Sequence, residues 1–192
     1  MKNDIKSRLS ATSKKVEIII PTVNKTHVSH NSGNYEWYTP SEYIEAAREV
    51  MGSIDIDPAS TGYANKNVEA KTFYTEETNG LIREWRGNIW MNPPYSHTLV
   101  AQFTSKLLEK IELGEVKQAI VLVNNATETK WFQAMLKICV AICFPKGRIR
   151  FINPERTKFS TPLQGQAFFY FGPNMVEFIK NFAIFGTILC KN

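Results

Sequence analysis

At Asn92-Pro93-Pro94-Tyr95 a short apolar run, Ile89 to Met91, stops in a polar amide, two prolines and an aromatic ring. Neither proline has an N–H to give a sheet ladder, so the chain must leave the sheet here. The residue before a proline is pushed into an extended conformation, which holds Asn92 stiff and presents its side-chain oxygen as an uncharged acceptor. Pro93 and Pro94 add carbonyls without adding donors. Such a corner is rich in fixed acceptors and matches a substrate bearing an NH2 group. Tyr95 adds a flat face on which a base can stack, worth about 1–3 kcal/mol per base. A plain strand-to-helix turn would use the same residue types, so the neighbouring features must decide.

An exocyclic amino group on adenine needs this kind of corner, because its lone pair is spread into the ring and attacks poorly. Two acceptors, the Asn92 side-chain oxygen and the Pro93 carbonyl, would hold both amino hydrogens and favour a tetrahedral nitrogen. Its lone pair would then face an electrophile. If that electrophile is a sulfonium methyl, no strong base is needed before attack, and the proton can go to water afterwards. A duplex hides this nitrogen, so the nucleotide would have to flip out.

Several elements must position the corner. Residues 39–52 read as a helix, with Thr39 as N-cap, Pro40 at the first helical position, Glu42 completing a capping box and Gly52 as the stop. A short strand follows and ends at Asp57-Pro58, where small residues (Ala59, Ser60, Gly62) would let backbone approach a ligand. The next stretch is predicted to hold a brief strand near Val68 and a helix at residues 81–85. After the corner comes an amphipathic helix with Ser96 as cap and Gly114 as stop. Strand 119–123, a helix from Glu128 and a strand ending at Phe144 then alternate, which predicts a parallel sheet in an α/β domain. Towards the C-terminus, residues 148–151 and 166–171 are expected to pair antiparallel around a basic loop, with a short helix and a last strand after them.

With 192 residues, 43% of them hydrophobic, the chain has room for one sizeable core. Its net charge of +5 is unevenly placed, since residues 1–34 hold six cations against two acids. This stretch reads as a basic N-terminal arm, a tail that either meets nucleic acid or only aids solubility, with residues 35–192 as the folded domain. Lys146, Arg148, Arg150, Arg156 and Lys158 form a second basic cluster against Glu155 alone. Phosphate contacts from this loop are expected, with a solvated basic surface as the plainer reading. Three cysteines, Cys139, Cys143 and Cys190, are too few and too odd in number for a disulfide framework. No metal site is expected. The absence of a long apolar span argues against a membrane, and the expectation is a cytoplasmic, monomeric protein.

Taken together, residues 36–40 (EWYTP), 54–60 (IDIDPAS), Asn79-Gly80-Leu81 with Trp85, 89–96 (IWMNPPYS), Trp131-Phe132 and 147–151 (GRIRF) resemble the phage-type DNA adenine-N6 methyltransferase (Dam-like) family. The likeness runs from about Tyr35 to Gly172. It implies a Rossmann-like methyltransferase fold, with a mostly parallel sheet and antiparallel C-terminal strands. It also implies S-adenosylmethionine as cofactor, DNA as partner and N6 of adenine as the methyl acceptor in the host-cell cytoplasm. On that likeness Asn92, Pro93, Pro94 and Tyr95 match the catalytic tetrad, and Tyr38, Thr39 and Pro40 match the segment lining the cofactor pocket. Asp57, Pro58 and Ala59 match the turn under its methionine part, with Asp55 as a second contact.

The chain departs from the wider class in keeping only Gly62 of a glycine-rich turn. A strand-helix-strand unit takes roughly 30 residues, so the usual three strands do not fit between Asp57 and Asn92. The carboxylate that would hold the cofactor ribose is therefore unplaced, Glu69 being a weak choice. Two rivals stand beside this reading: a methyltransferase acting on an amino or amide nitrogen of RNA or protein, and a non-catalytic nucleic-acid-binding module on the same fold.

Overall fold

The computed structural model describes residues 38–152 and 164–191. The N-terminal arm, Glu36, Trp37, Arg156 and Lys158 lie outside the described residues. In chain order the elements are α1 (Ser41–Met51), β1 (Ile56–Asp57), α2 (Asn65–Val68), β2 (Thr72–Phe73), a 3-10 turn (Gly80–Ile82), β3 (Gly87–Met91), α3 (His97–Glu112) and β4 (Val116–Asn124). They continue with α4 (Lys130–Ile138), β5 (Ala141–Pro145), β6 (Gln166–Phe171), α5 (Met175–Phe182) and β7 (Gly186–Cys190).

The strands form one seven-stranded sheet in the order β2-β1-β3-β4-β6-β5-β7. Strands β2, β1, β3 and β4 pair parallel. Strand β6 runs antiparallel to both β4 and β5, and β7 runs antiparallel to β5. Helices cover both faces. On one, Ile44, Ala47 and Val50 of α1 and Phe178 and Phe182 of α5 pack with Trp90, Ile120, Leu122 and Phe168. On the other, Val100, Phe103 and Leu107 of α3 and Phe132 and Met135 of α4 pack with Ile89, Met91, Val121 and Phe169. Cover on both sides is why the central strand β4 reads as a continuous apolar run rather than as an alternation. This is the expected Rossmann-like α/β architecture with antiparallel C-terminal strands.

Four local expectations need correction. Strand 166–171 does not pair with residues 148–151, because both of its edges are already taken, by β4 and β5. Ile152 instead forms an isolated antiparallel bridge with Tyr38, and the Ile149 amide donates to Gln166 Oε1 (3.2 Å). Near Val68 the chain is helical, since Asn65 both accepts from the Ala70 amide (2.9 Å) and donates to its carbonyl (3.2 Å), closing a short turn. The helix expected at 81–85 shrinks to a single 3-10 turn. Arg83 is extended, and Trp85 is buried with its indole donating to the Gly80 carbonyl (2.8 Å). Finally, β4 and β5 run in the same direction but are not neighbours, with β6 inserted between them.

The short distance from Asp57 to Asn92 is met by economy. Strands β1 and β2 are two residues each and are joined by a four-residue helix, so a single strand lies outboard of β1. Glu69 is exposed and caps α2 in a left-handed conformation (φ 50°).

Candidate active site

Parallel strands deliver their carboxyl ends to one edge, where α/β folds form ligand crevices. Here β1 ends at Asp57, β3 at Met91 and β4 at Asn124, in adjacent positions of the sheet. The Asn92-Pro93-Pro94-Tyr95 corner follows β3 directly. Pro93 is buried, Asn92 half-buried, and Pro94 exposed.

Asn92 is held from two sides. Its Nδ2 donates to Thr39 Oγ1 (3.2 Å), and its Oδ1 accepts from the Tyr95 hydroxyl (2.8 Å). The amide is thereby oriented, and one lone pair of Oδ1 is left for a further donor. The Pro93 carbonyl takes no hydrogen bond from another described residue. Tyr95 is 36% exposed, yet its hydroxyl is turned inward onto Asn92, and burial pushes the phenol well above its usual range. Tyr95 therefore stays protonated and remains a donor.

Thr39 does not cap α1. Pro40 occupies the cap position with extended backbone, Ser41 is the first helical residue, and no side-chain cap bond forms. The physical reason is competition: the Thr39 hydroxyl is spent on Asn92 and is buried. The Asn67 Nδ2 donates to the Thr39 carbonyl (3.2 Å), and the Arg48 guanidinium in turn donates to the Asn67 and Val68 carbonyls (3.1 and 2.9 Å). Tyr38, just before it, is buried, bonded through its backbone to Ile152, with its ring 4.5 Å from that of Tyr63.

Asp57 is 3% exposed at the end of β1, and its Oδ1 accepts from the Ala59 amide (3.2 Å). Burial raises its pKa to about 6, a shift that the nearby Ser60 hydroxyl and the Ala59 N–H only partly oppose. The Pro58 carbonyl lies so close to Gly80 that a Cβ there would sit 2.0 Å from it. This packing explains the Asn-Gly-Leu signature: only glycine lets the 3-10 turn lie against the Asp57-Pro58 turn.

Asp55 does not join this group. It precedes β1, at the opposite end of the strand, where it pairs with Lys71 (2.6 Å) and accepts from the Asn88 amide (2.8 Å) and the Ser53 hydroxyl (3.3 Å). Burial would raise its pKa, but Lys71 and the Asn88 amide outweigh it and hold the carboxyl below its usual value. Lys146, Arg148 and Arg150 are exposed around the buried Ile149. Arg156 and Lys158, the rest of that basic cluster, are outside the described residues.

Sequence reasoning missed Asn67, Asn124 and Gln166. Gln166, 3% exposed, accepts from the Ile149 amide and donates to Asn124 Oδ1 (3.3 Å) and to the Gln164 carbonyl (2.7 Å). The signal for Asn124 was present: the apolar strand β4 ends in Asn124-Asn125 much as β3 ends in Asn92.

A protein of Haemophilus phage HP1 named DNA N-6-adenine-methyltransferase is 32% identical over 122 residues, which are 62% of this chain and 67% of the relative. One of the same name from Escherichia phage T1 is 34% identical over 98 residues, 50% of this chain and 38% of the longer relative. Residues 25–183, which include every side chain of the corner and the Asp57 turn, match the family described as DNA N-6-adenine-methyltransferase (Dam), and the chain belongs to that family.

Proposed function

We propose that this enzyme transfers the methyl group of S-adenosylmethionine to N6 of an adenine in DNA, with the base flipped into the Asn92-Pro93-Pro94-Tyr95 corner. The observation that carries the reading is the state of the two acceptors. Asn92 is oriented by Thr39, and among the described residues a lone pair of its Oδ1 is left to spare and the Pro93 carbonyl beside it takes no hydrogen bond. Two such acceptors bind two N–H hydrogens. The names of the phage relatives agree with adenine in DNA as the acceptor.

The residues at the end of β1 fit the cofactor in chemical type. A buried carboxylate with one backbone donor suits the ammonium of a bound amino acid, and Asp57 is such a group. Tyr38, Pro40, Asp57, Pro58 and Ala59 would hold S-adenosylmethionine, while Thr39, whose hydroxyl accepts from Asn92, braces the corner beside it. When bound it supplies an electrophilic methyl on a sulfonium. Asn92 Oδ1 and the Pro93 carbonyl draw the two amino hydrogens toward themselves, turning the N6 lone pair out of conjugation. Tyr95 stacks on the base and braces Asn92 through its hydroxyl. The proton is released to water after transfer, so no strong base is required at the corner. Lys146, Arg148 and Arg150 supply phosphate contacts.

Nucleoside mass spectrometry on plasmid DNA from a host lacking its own adenine methylation tests the reading. Expression of the chain should produce N6-methyladenine, and Asn92→Ala should lower the rate about 100-fold or more. DNA free of N6-methyladenine, or full activity in the alanine variant, would overturn it.

A further inference from the structure

Beside the corner lies a cavity of about 180 Å³ lined by Tyr95, Asn124, Thr129 and Trp131 among others. A cavity of about 150 Å³ takes a benzene ring, so this one is on the scale of a single aromatic ring system. It joins the ends of two neighbouring strands. Met91 pairs with Val121, so Asn124 stands two residues further along β4 than Asn92 does along β3, with its side chain on the same side of the pleat.

The orientation of the Asn124 amide follows from its neighbours without reference to hydrogen positions. The Ile149 backbone N–H can only donate, so the Gln166 atom it meets must be the oxygen. The other Gln166 atom is then the nitrogen, and it donates to the Gln164 carbonyl, which can only accept. The Asn124 atom facing that nitrogen must be Oδ1. Asn124 Nδ2 is therefore left as a donor with no partner among the described residues.

We infer that Asn124 is a specificity-determining residue, whose Nδ2 donates to a ring nitrogen of a base that lies against Tyr95 between the Asn92-Pro93 acceptors and this cavity, and that Gln166 is the positioning residue that keeps the donor, rather than the acceptor, turned to the base. The inference rests on the proposed methylation of adenine. With N6 pinned between Asn92 and Pro93, the acceptors adjacent to it on the purine are N1 and N7, and an amide donor one strand over is placed for one of them. Guanine offers no amino group there. An aspartate at 124 would offer the base a lone pair where it needs a hydrogen.

The test uses duplex oligonucleotides carrying 1-deazaadenine or 7-deazaadenine at the methylated position, each removing one ring acceptor, with Asn124→Asp and Asn124→Ala beside the wild type. Calorimetric binding of sinefungin confirms that each variant is folded. For the wild type, kcat/KM should fall at least about 10-fold on one of the two analogues. In the Asp variant, kcat/KM on natural DNA should fall by a similar factor, and the analogue penalty should shrink to less than about 2-fold. The alanine variant should lose the penalty too. Both variants at full activity, or an analogue penalty as large in the variants as in the wild type, would overturn the inference, as would a wild type indifferent to both analogues. If no adenine is methylated by the wild type, the proposed function itself fails, which is a different result.

Discussion

Two side chains decide how the corner behaves. Thr39 sits where sequence reasoning puts a helix cap, but its hydroxyl accepts from Asn92 instead. A valine there keeps the shape and removes the acceptor, leaving a half-buried amide N–H unpaired, a loss of about 1–3 kcal/mol when the amide must be held for reaction. Thr39→Val should therefore lower kcat about 10-fold or more while sinefungin affinity stays within about 3-fold, and Thr39→Ser should restore most of the rate. A variant that loses cofactor affinity but keeps kcat would make Thr39 a cofactor contact rather than a brace for Asn92.

Asp57 belongs to the same scale. Its folded-state pKa of about 6 lies above the usual 3.8 because burial penalises the charged form, so the folded state holds the proton more tightly than the unfolded one. Its contribution to stability is present below the unfolded value and is lost as pH rises through about 6. Asp57→Asn should flatten the unfolding free energy across that window. An ammonium bound beside it would reverse the preference, so sinefungin should bind more tightly as pH rises through about 6, and the asparagine variant should lose that dependence. Calorimetry from pH 5 to pH 8 distinguishes the cases. A wild-type affinity flat with pH would show that Asp57 does not meet the amine.

At the scale of elements, the site depends on the 3-10 turn at Gly80–Ile82 being pressed against the Asp57-Pro58 turn. In a Gly80→Ala variant the new methyl would lie 2.0 Å from the Pro58 carbonyl oxygen and 3.2 Å from Tyr74 Cβ. Backbone cannot yield as a flexible side chain can, so the cost is that of an overpacked core, about 1–3 kcal/mol or more. Thermal unfolding should report a lower Tm, and cofactor-analogue binding should weaken because Pro58 has to move. An alanine variant as stable as wild type would show that the turn can slide. The Asn-Gly-Leu-…-Trp pattern was visible in the sequence as a likeness, but its reason, one carbonyl against one Cα, needs coordinates.

The same division holds along the chain. The Asn92 corner was legible because two prolines ending an apolar strand leave few conformations open. Helices α1 and α3 were legible from apolar spacing and their glycine stops. What could not be read was competition among partners. Strand β6 has two edges and three candidate neighbours, and nothing local to residues 148–151 says that they lose to β4 and β5. Thr39 has one hydroxyl and two possible uses, and the winning partner is 53 residues away. Asn124 was passed over because asparagine at a strand end is an ordinary turn residue until Gln166 is seen to orient it.

For the whole molecule, the net charge of +5, most of it placed in residues 1–34, bears on how DNA would be held at the proposed site. Within the described residues, Lys146, Arg148 and Arg150 stand exposed on the segment that leaves β5. Ile149 between them is fully buried and its amide is bonded to Gln166, the same side chain that orients Asn124. The flanking cations thus project from a backbone that is anchored, which limits the entropy lost when they meet phosphates. Each phosphate neutralised in duplex DNA contributes about 0.9 to the slope of log affinity against log salt. Replacing Arg148 and Arg150 together by alanine should reduce that slope by up to about 2 and weaken binding similarly for every sequence, leaving kcat at saturating DNA unchanged. Lys180→Ala, on α5 and already paired with Glu177, serves as the control and should leave the slope alone. A double variant with the wild-type slope would place the DNA track elsewhere and leave the basic segment as solvated surface.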